Sequence, residues 1–109
     1  MPHWHLVGTL GDIPQDQPVS RTIGTTPVVL FRTGETVTAL RDRCAHRFAP
    51  LSLGKVVDGT LQCPYHGLRY GRDGRCVFNP HGDGAIPELA QVATYLVEQH
   101  NEQVFVSVD

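Results

Sequence analysis

Cys44-Ala45-His46-Arg47-Phe48-Ala49-Pro50-Leu51-Ser52-Leu53-Gly54 and, after Lys55 to Gln62, Cys63-Pro64-Tyr65-His66-Gly67 make up the stretch on which the reading of this chain turns. It holds two short motifs, Cys-x-His and Cys-x-x-His, separated by the sixteen residues 47 to 62. Four soft or borderline donors in two compact pairs, each beside a Pro or Gly that bends the backbone, are what a chain supplies when two loops converge on one metal centre. Two occupants compete for such a set. Zinc would take two thiolates and two imidazoles in one closed tetrahedron, a structural site. A two-iron, two-sulfide cluster would take both thiolates on one iron and both imidazoles on the other. Each motif pairs one Cys with one His, so two loops approaching from opposite sides could each give one ligand to each iron. The cluster fits that arrangement naturally.

The same residues carry a family resemblance. Cys44-Ala45-His46-Arg47, Ala49-Pro50-Leu51-Ser52-x-Gly54 and Cys63-Pro64-Tyr65-His66-Gly67 closely resemble the loops of the Rieske iron–sulfur domain. Trp4 with Val7, Val28 to Arg32, Ala39-Leu40-Arg41-Asp42-Arg43, and Gly74-x-Cys76 before Pro80 are similar to the N-terminal domain of Rieske non-haem iron oxygenases. Within these, the likeness is greatest to the aromatic-ring hydroxylase and O-demethylase branch. The resemblance implies an all-β fold of antiparallel sheets, one domain over residues 1–109, with a cluster-binding subdomain of about 41–78 inserted in it. It also implies a Rieske-type [2Fe–2S] cluster held by Cys44, His46, Cys63 and His66.

Three cysteines sharpen the comparison. With Cys44 and Cys63 on iron only Cys76 remains, so no internal disulfide can form beside the cluster. The high-potential Rieske proteins of respiratory complexes carry an extra, disulfide-bonded cysteine in each cluster loop; the matching places here are Ala or Phe in the first loop and Tyr65 in the second. They also place a hydroxyl after the second loop's Gly, where this chain has Leu68. Rieske potentials span roughly −150 to +300 mV, and a missing hydroxyl donor predicts the low end. Cys76 itself reads as a small buried side chain rather than a redox thiol.

The net charge of −2 names no partner, but its distribution is uneven. Residues 41 to 75 hold seven of the nine basic residues (Arg41, Arg43, Arg47, Lys55, Arg69, Arg72, Arg75) against Asp42, Asp58 and Asp73, giving +4 there and −6 elsewhere. A basic face around the cluster would favour the reduced form and could dock an acidic partner surface. Nothing suggests nucleic-acid binding, since neither aromatic interleaving nor a helical basic stripe accompanies the arginines. No apolar run approaches ~20 residues, so no membrane span is expected, and Met1-Pro2-His3-Trp4-His5, which lacks a basic region followed by an apolar stretch, is not expected to act as a signal peptide. A cytoplasmic location is the expectation.

Along the chain, Trp4 to Leu10 reads as a first strand interrupted at Gly8, with Trp4 as a core or lid residue and His3 and His5 solvated. Val19 to Ile23 is a short strand, Gly24 to Pro27 a turn, and Pro27 to Arg32 a buried β-branched and aromatic strand. Thr33-Gly34-Glu35 reverses the chain into Thr36 to Leu40, which alternates with period two. Leu51 and Leu53 can close an apolar lid over the sulfides. Lys55 to Gln62 reads as a hairpin about Asp58-Gly59 that delivers Cys63. Arg75 to Phe78 follows the Asp73-Gly74 turn, and Asn79 to Pro87 is a loop in which His81 is a polar loop residue. Glu88 to Ala90 makes a helical turn, Val92 to Glu98 a strand, His100 to Glu102 a turn, and Gln103 to Val108 the last strand with its valines on one face.

A domain of this kind moves one electron and performs no bond chemistry, so no catalytic residue is assigned. The imidazoles of His46 and His66 are the expected electron exit, and deprotonation of their second nitrogens should lower the potential at high pH. In the first setting it passes electrons from a reductase or ferredoxin to the mononuclear iron of an oxygenase catalytic domain, for aromatic hydroxylation or O-demethylation. In the second it is a complete Rieske ferredoxin. The loops favour the first and the length the second. After the cluster ligands, His3, His5, His81 and His100 remain, with no close-spaced pair in the second half of the chain for the two-histidine, one-carboxylate set of a mononuclear iron site. A structural zinc module is the non-redox alternative.

Overall fold

The computed structural model describes residues 3–44, 49–64, 67–80, 84 and 91–108. Among the described residues the framework is ten strands: β1 (His5–Thr9), β2 (Val19–Ile23), β3 (Thr26–Thr33), β4 (Thr36–Arg41), β5 (Lys55–Val57), β6 (Thr60–Gln62), β7 (Arg69–Tyr70), β8 (Cys76–Phe78), β9 (Thr94–His100) and β10 (Gln103–Ser107). Six form a base sheet in the order β1-β10-β9-β4-β3-β2, and β5-β6-β7-β8 form a second sheet. Every pairing is antiparallel. The fold is therefore all-β, with the small sheet inserted in sequence between β4 and β9 of the base.

Strand β3 explains how the two sheets share one chain. Alternate side chains of a strand face opposite ways, and on β3 both ways are buried. Val28 and Leu30 join Val7, Ile13, Ile23, Val37, Ala39, Val104 and Val106 in a core of the base sheet. Val29 and Phe31 point to the other side and pack with Leu40, Leu51, Leu61, Leu68, Tyr70 and Val92 beneath the small sheet. Burial of Phe31 alone is worth about 2–3 kcal/mol. An uninterrupted Val-Val-Leu-Phe run is what a strand with two buried faces requires.

This double burial corrects the period-two reading of β4. Val37 to Leu40 are all buried, because Thr38 and Leu40 face the second core while Val37 and Ala39 face the first. Strand β4 meets β9 directly at Ala39–Tyr95 and Leu40–Thr94. Further along, Gln99 extends the junction with its side chain: the Val37 amide donates to its Oε1 at 3.0 Å, and its Nε2 donates to the Glu35 carbonyl at 2.8 Å.

Other expectations shift by a few residues. Strand β1 slips register between Leu6 and Gly8, as the glycine suggested, but Leu10 enters a short 3-10 turn, Leu10–Asp12. Trp4 is not a core residue; it is 37% exposed. The strand expected from Val92 begins at Thr94, because the Val92 amide is taken by the Gly74 carbonyl at 2.7 Å and Val92 itself is buried in the second core. His100 ends β9, and the turn is Asn101 and Glu102, both at positive φ. His81 and the helical turn at Glu88 to Ala90 lie outside the described residues. Among the described residues, no helix is long and apolar enough to cross a membrane.

Candidate metal centre

Each candidate thiol stands just past the end of a strand. Strand β4 ends at Arg41, three residues before Cys44; β6 ends at Gln62, one before Cys63. The two loops they open are pinched in the same way. The Cys44 amide donates to the Ala49 carbonyl at 2.7 Å, and the Cys63 amide to the Leu68 carbonyl at 2.8 Å. Each closure joins a cysteine to the residue five further on, and the span of each contains one motif histidine, His46 or His66. Both histidines lie outside the described residues.

Cys44 and Cys63 are both buried, with 0% and 1% exposure, in the same apolar core. The Tyr70 hydroxyl lies 3.3 Å from Cys44 Sγ. Sequence reading looked for a hydroxyl at position 68, found Leu68, and missed this one; Leu68 is indeed a buried apolar side chain. Tyr70 follows β7 inward by strand alternation, so a tyrosine two residues beyond the expected site, on the same strand exit, was the available signal. Among the described residues no group of three or more His, Cys, Asp or Glu side chains converges, as follows when two of four candidate ligands are outside them.

The first loop is held from its base. Asp42 accepts from the Ser52 amide at 2.7 Å through Oδ1 and from the Ser52 hydroxyl at 2.6 Å through Oδ2. Its own amide donates to the Pro27 carbonyl at 3.0 Å, tying the loop to the base sheet. Hydrogen bonds to a charged partner are worth roughly 1.5–3 kcal/mol, so Asp42→Ala should lower stability by about 2–3 kcal/mol, read by chemical denaturation. Asp42→Asn, which keeps an acceptor, should recover part of it.

The lid expectation divides. Leu51 is fully buried in the core beneath the small sheet, whereas Leu53 points outward at 65% exposure. Only Leu51 can cover the site from within, because the 3-10 turn Leu51–Leu53 sends the two leucines to different sides. Cys76 is a buried thiol whose Sγ donates to the Phe78 carbonyl at 3.4 Å; burial pushes it above the ordinary thiol range, with Cys44 nearby adding to the shift. That is the environment of a structural thiol rather than a reactive one.

Comparison with known proteins decides the family. The model of the Rieske [2Fe-2S] domain matches residues 3–96. The chain belongs to the Rieske [2Fe–2S] domain family.

This Rieske domain is 47% identical over 98 residues to the oxygenase component of chloroacetanilide N-alkylformylase from Rhizorhabdus wittichii, covering 89% of this chain and 28% of that protein. It is 44% identical over 104 residues to the oxygenase component of dicamba O-demethylase from Stenotrophomonas maltophilia, covering 94% and 30%. The crystal structure of apo dicamba monooxygenase superimposes with a TM-score of 0.90 at 42% identity, over 96% of this chain and 33% of that one. The chain thus spans less than a third of the length of these two curated relatives. Membership implies the Rieske-type [2Fe–2S] cluster, and the observed site fits it. Two buried thiols share one core, their loops are closed alike, and the Tyr70 hydroxyl lies within hydrogen-bond reach of one of the two sulfurs.

Proposed function

We propose that this Rieske domain transfers single electrons from a reductase or ferredoxin to the mononuclear iron of an oxygenase catalytic domain, with Cys44, His46, Cys63 and His66 as the ligands of its cluster. Bound there, the [2Fe–2S] cluster supplies one-electron exchange without bond chemistry. The observation that carries the reading is the pairing of Cys44 and Cys63, equally buried, each at the root of a five-residue closure that contains one motif histidine. The two relatives named above are oxygenase components, which supports the oxygenase setting over a separate ferredoxin.

The protein's own part is to hold the four donors rigid and dry. Both loops grow from paired strands, so little rearrangement accompanies a change of charge. Leu51, Leu61 and Leu68 exclude water around the thiols. The Tyr70 hydroxyl has Cys44 Sγ within reach and, against a thiolate, can only donate. A donor on a ligand sulfur stabilises the more negative, reduced state. Since Leu68 provides none, the potential should sit toward the low end of the Rieske range but above that of a site lacking both hydroxyls.

A redox titration followed by visible absorption tests this. It should give a one-electron transition, and Tyr70→Phe should shift it down by about 40 mV, the equivalent of ~1 kcal/mol for one hydrogen bond. An unchanged potential in Tyr70→Phe would remove Tyr70 from the site, and a protein without a reversible transition would remove the electron-transfer reading.

A further inference from the structure

The outward face of the small sheet carries a row that crosses all four strands. Lys55 pairs with Gln62, Gln62 with Arg69, and Arg69 with Phe78. It is the face opposite Leu61, Tyr70 and Cys76, which point into the core. The row contains two cations, no carboxylate, and an order of its own. Arg69 Nε donates to Gln62 Oε1 at 3.0 Å, and the guanidinium lies 4.5 Å from the centre of the Phe78 ring. A guanidinium clamped between an amide and an aromatic face is already immobilised, so little side-chain freedom is lost when it binds an anion. Its Nη donors have no hydrogen bond among the described residues. They offer the planar fork that matches a carboxylate.

Lys55 stands two strands from Arg69, roughly 10 Å away at the normal strand spacing, and is exposed. The Lys55 end of the row borders a shallow cleft lined by Leu53, Gly54, Lys55, Gln62, Cys63 and Pro64. A partner seated on the row therefore lies against the backbone that runs from Gln62 into Cys63. Val77 and Phe78, 49% and 41% exposed, supply apolar contact at the other end. The nearby acid Asp73 is engaged with Arg75 at 3.9 Å. We propose that the row Lys55–Gln62–Arg69–Phe78 is the docking surface for the carboxylate-bearing face of an acidic redox protein that exchanges electrons with this domain. The proposal rests on the electron-transfer reading above and adds the partner's charge and its place of contact.

The test is binding of an oxidised plant-type ferredoxin of net negative charge to the cluster-loaded protein, measured at low and at high ionic strength. Arg69→Gln and Lys55→Gln should each weaken binding about threefold to fivefold at low salt and together about tenfold, with the differences fading at high salt. Arg72→Gln, an exposed cation off the row, should change it less than about twofold. The absorption spectrum of the variants should match that of the unaltered protein. The proposal is overturned if the double variant binds like the unaltered protein, if Arg72→Gln weakens binding as much as Arg69→Gln, or if the unaltered protein does not bind. Failure of the cluster reading would show separately, as an unaltered protein without the visible absorption of an iron–sulfur cluster, while the binding comparison still decides the row.

Discussion

Gly54→Ala is expected to destabilise the domain by about 3 kcal/mol or more, a large fraction of the 5–15 kcal/mol that holds a typical domain folded. Gly54 does not sit at positive φ; its backbone is at φ −87°. The constraint is proximity. A Cβ there would lie 1.8 Å from the Gln62 carbonyl oxygen and 3.2 Å from that of Leu51, and both are backbone atoms without a rotamer to escape into. The first residue after Gly54, Lys55, pairs with Gln62 to begin the β5–β6 ladder. Relief of the clash must separate those strands at the end next to Cys63 or unwind the Leu51–Leu53 turn that closes the first loop. Either movement pulls the two cysteine loops out of register. The expected result is therefore a lowered denaturation midpoint together with reduced iron content, both read on the purified variant. Gly74→Ala should behave comparably in stability, since a Cβ there would meet the Val92 carbonyl at 2.1 Å and φ is +79°. That contact docks the small sheet on the segment leading into β9. Equal stability of Gly54→Ala and the unaltered protein would mean that the two loops are not held by this approach.

Much of this was legible in the residues. The Asp58-Gly59 hairpin, the β3–β4 pair and the strand-borne cysteines follow from turn chemistry and β-branched runs, which are local signals. The two-sided burial of β4 was not legible, because Thr38 looks like a solvent position until the small sheet is known to cover it. The order of the base sheet, with β10 and β9 between β1 and β4, is a long-range fact that no local pattern encodes. At the site, the cysteines and their loops were visible in the motif spacing. The contacts of Tyr70, Asp42 and Gly54 were not, since they reach residues 26, 10 and 8 positions away in sequence. The basic window was visible as composition. Only the strand register turns two of its members, Lys55 and Arg69, into a row with Gln62 and Phe78.

His66→Ala is expected to abolish stable cluster binding, lowering iron and labile sulfide at least tenfold, whereas His81→Ala should leave both unchanged. The contrast rests on where the two histidines stand in sequence relative to described anchors. Residue 66 falls between the ends of the Cys63–Leu68 closure, and residue 81 follows Pro80 beyond β8. Losing one imidazole removes a whole ligand, which a neighbouring apolar core cannot replace. Because metal binding is coupled to folding, the His66→Ala protein should also unfold at a lower temperature than the loaded unaltered protein. Loss of the cluster in both variants, or in neither, would contradict the ligand assignment.

The central claim, that this chain holds a Rieske [2Fe–2S] cluster on Cys44, His46, Cys63 and His66, is tested most directly by iron, zinc and acid-labile sulfide analysis of anaerobically purified protein, joined to its electron paramagnetic resonance spectrum after reduction. The account predicts iron and sulfide in equal amounts, two of each per chain as the family's [2Fe-2S] centre requires, and a signal on one-electron reduction. One zinc per chain without sulfide, in a colourless and EPR-silent protein, would contradict it.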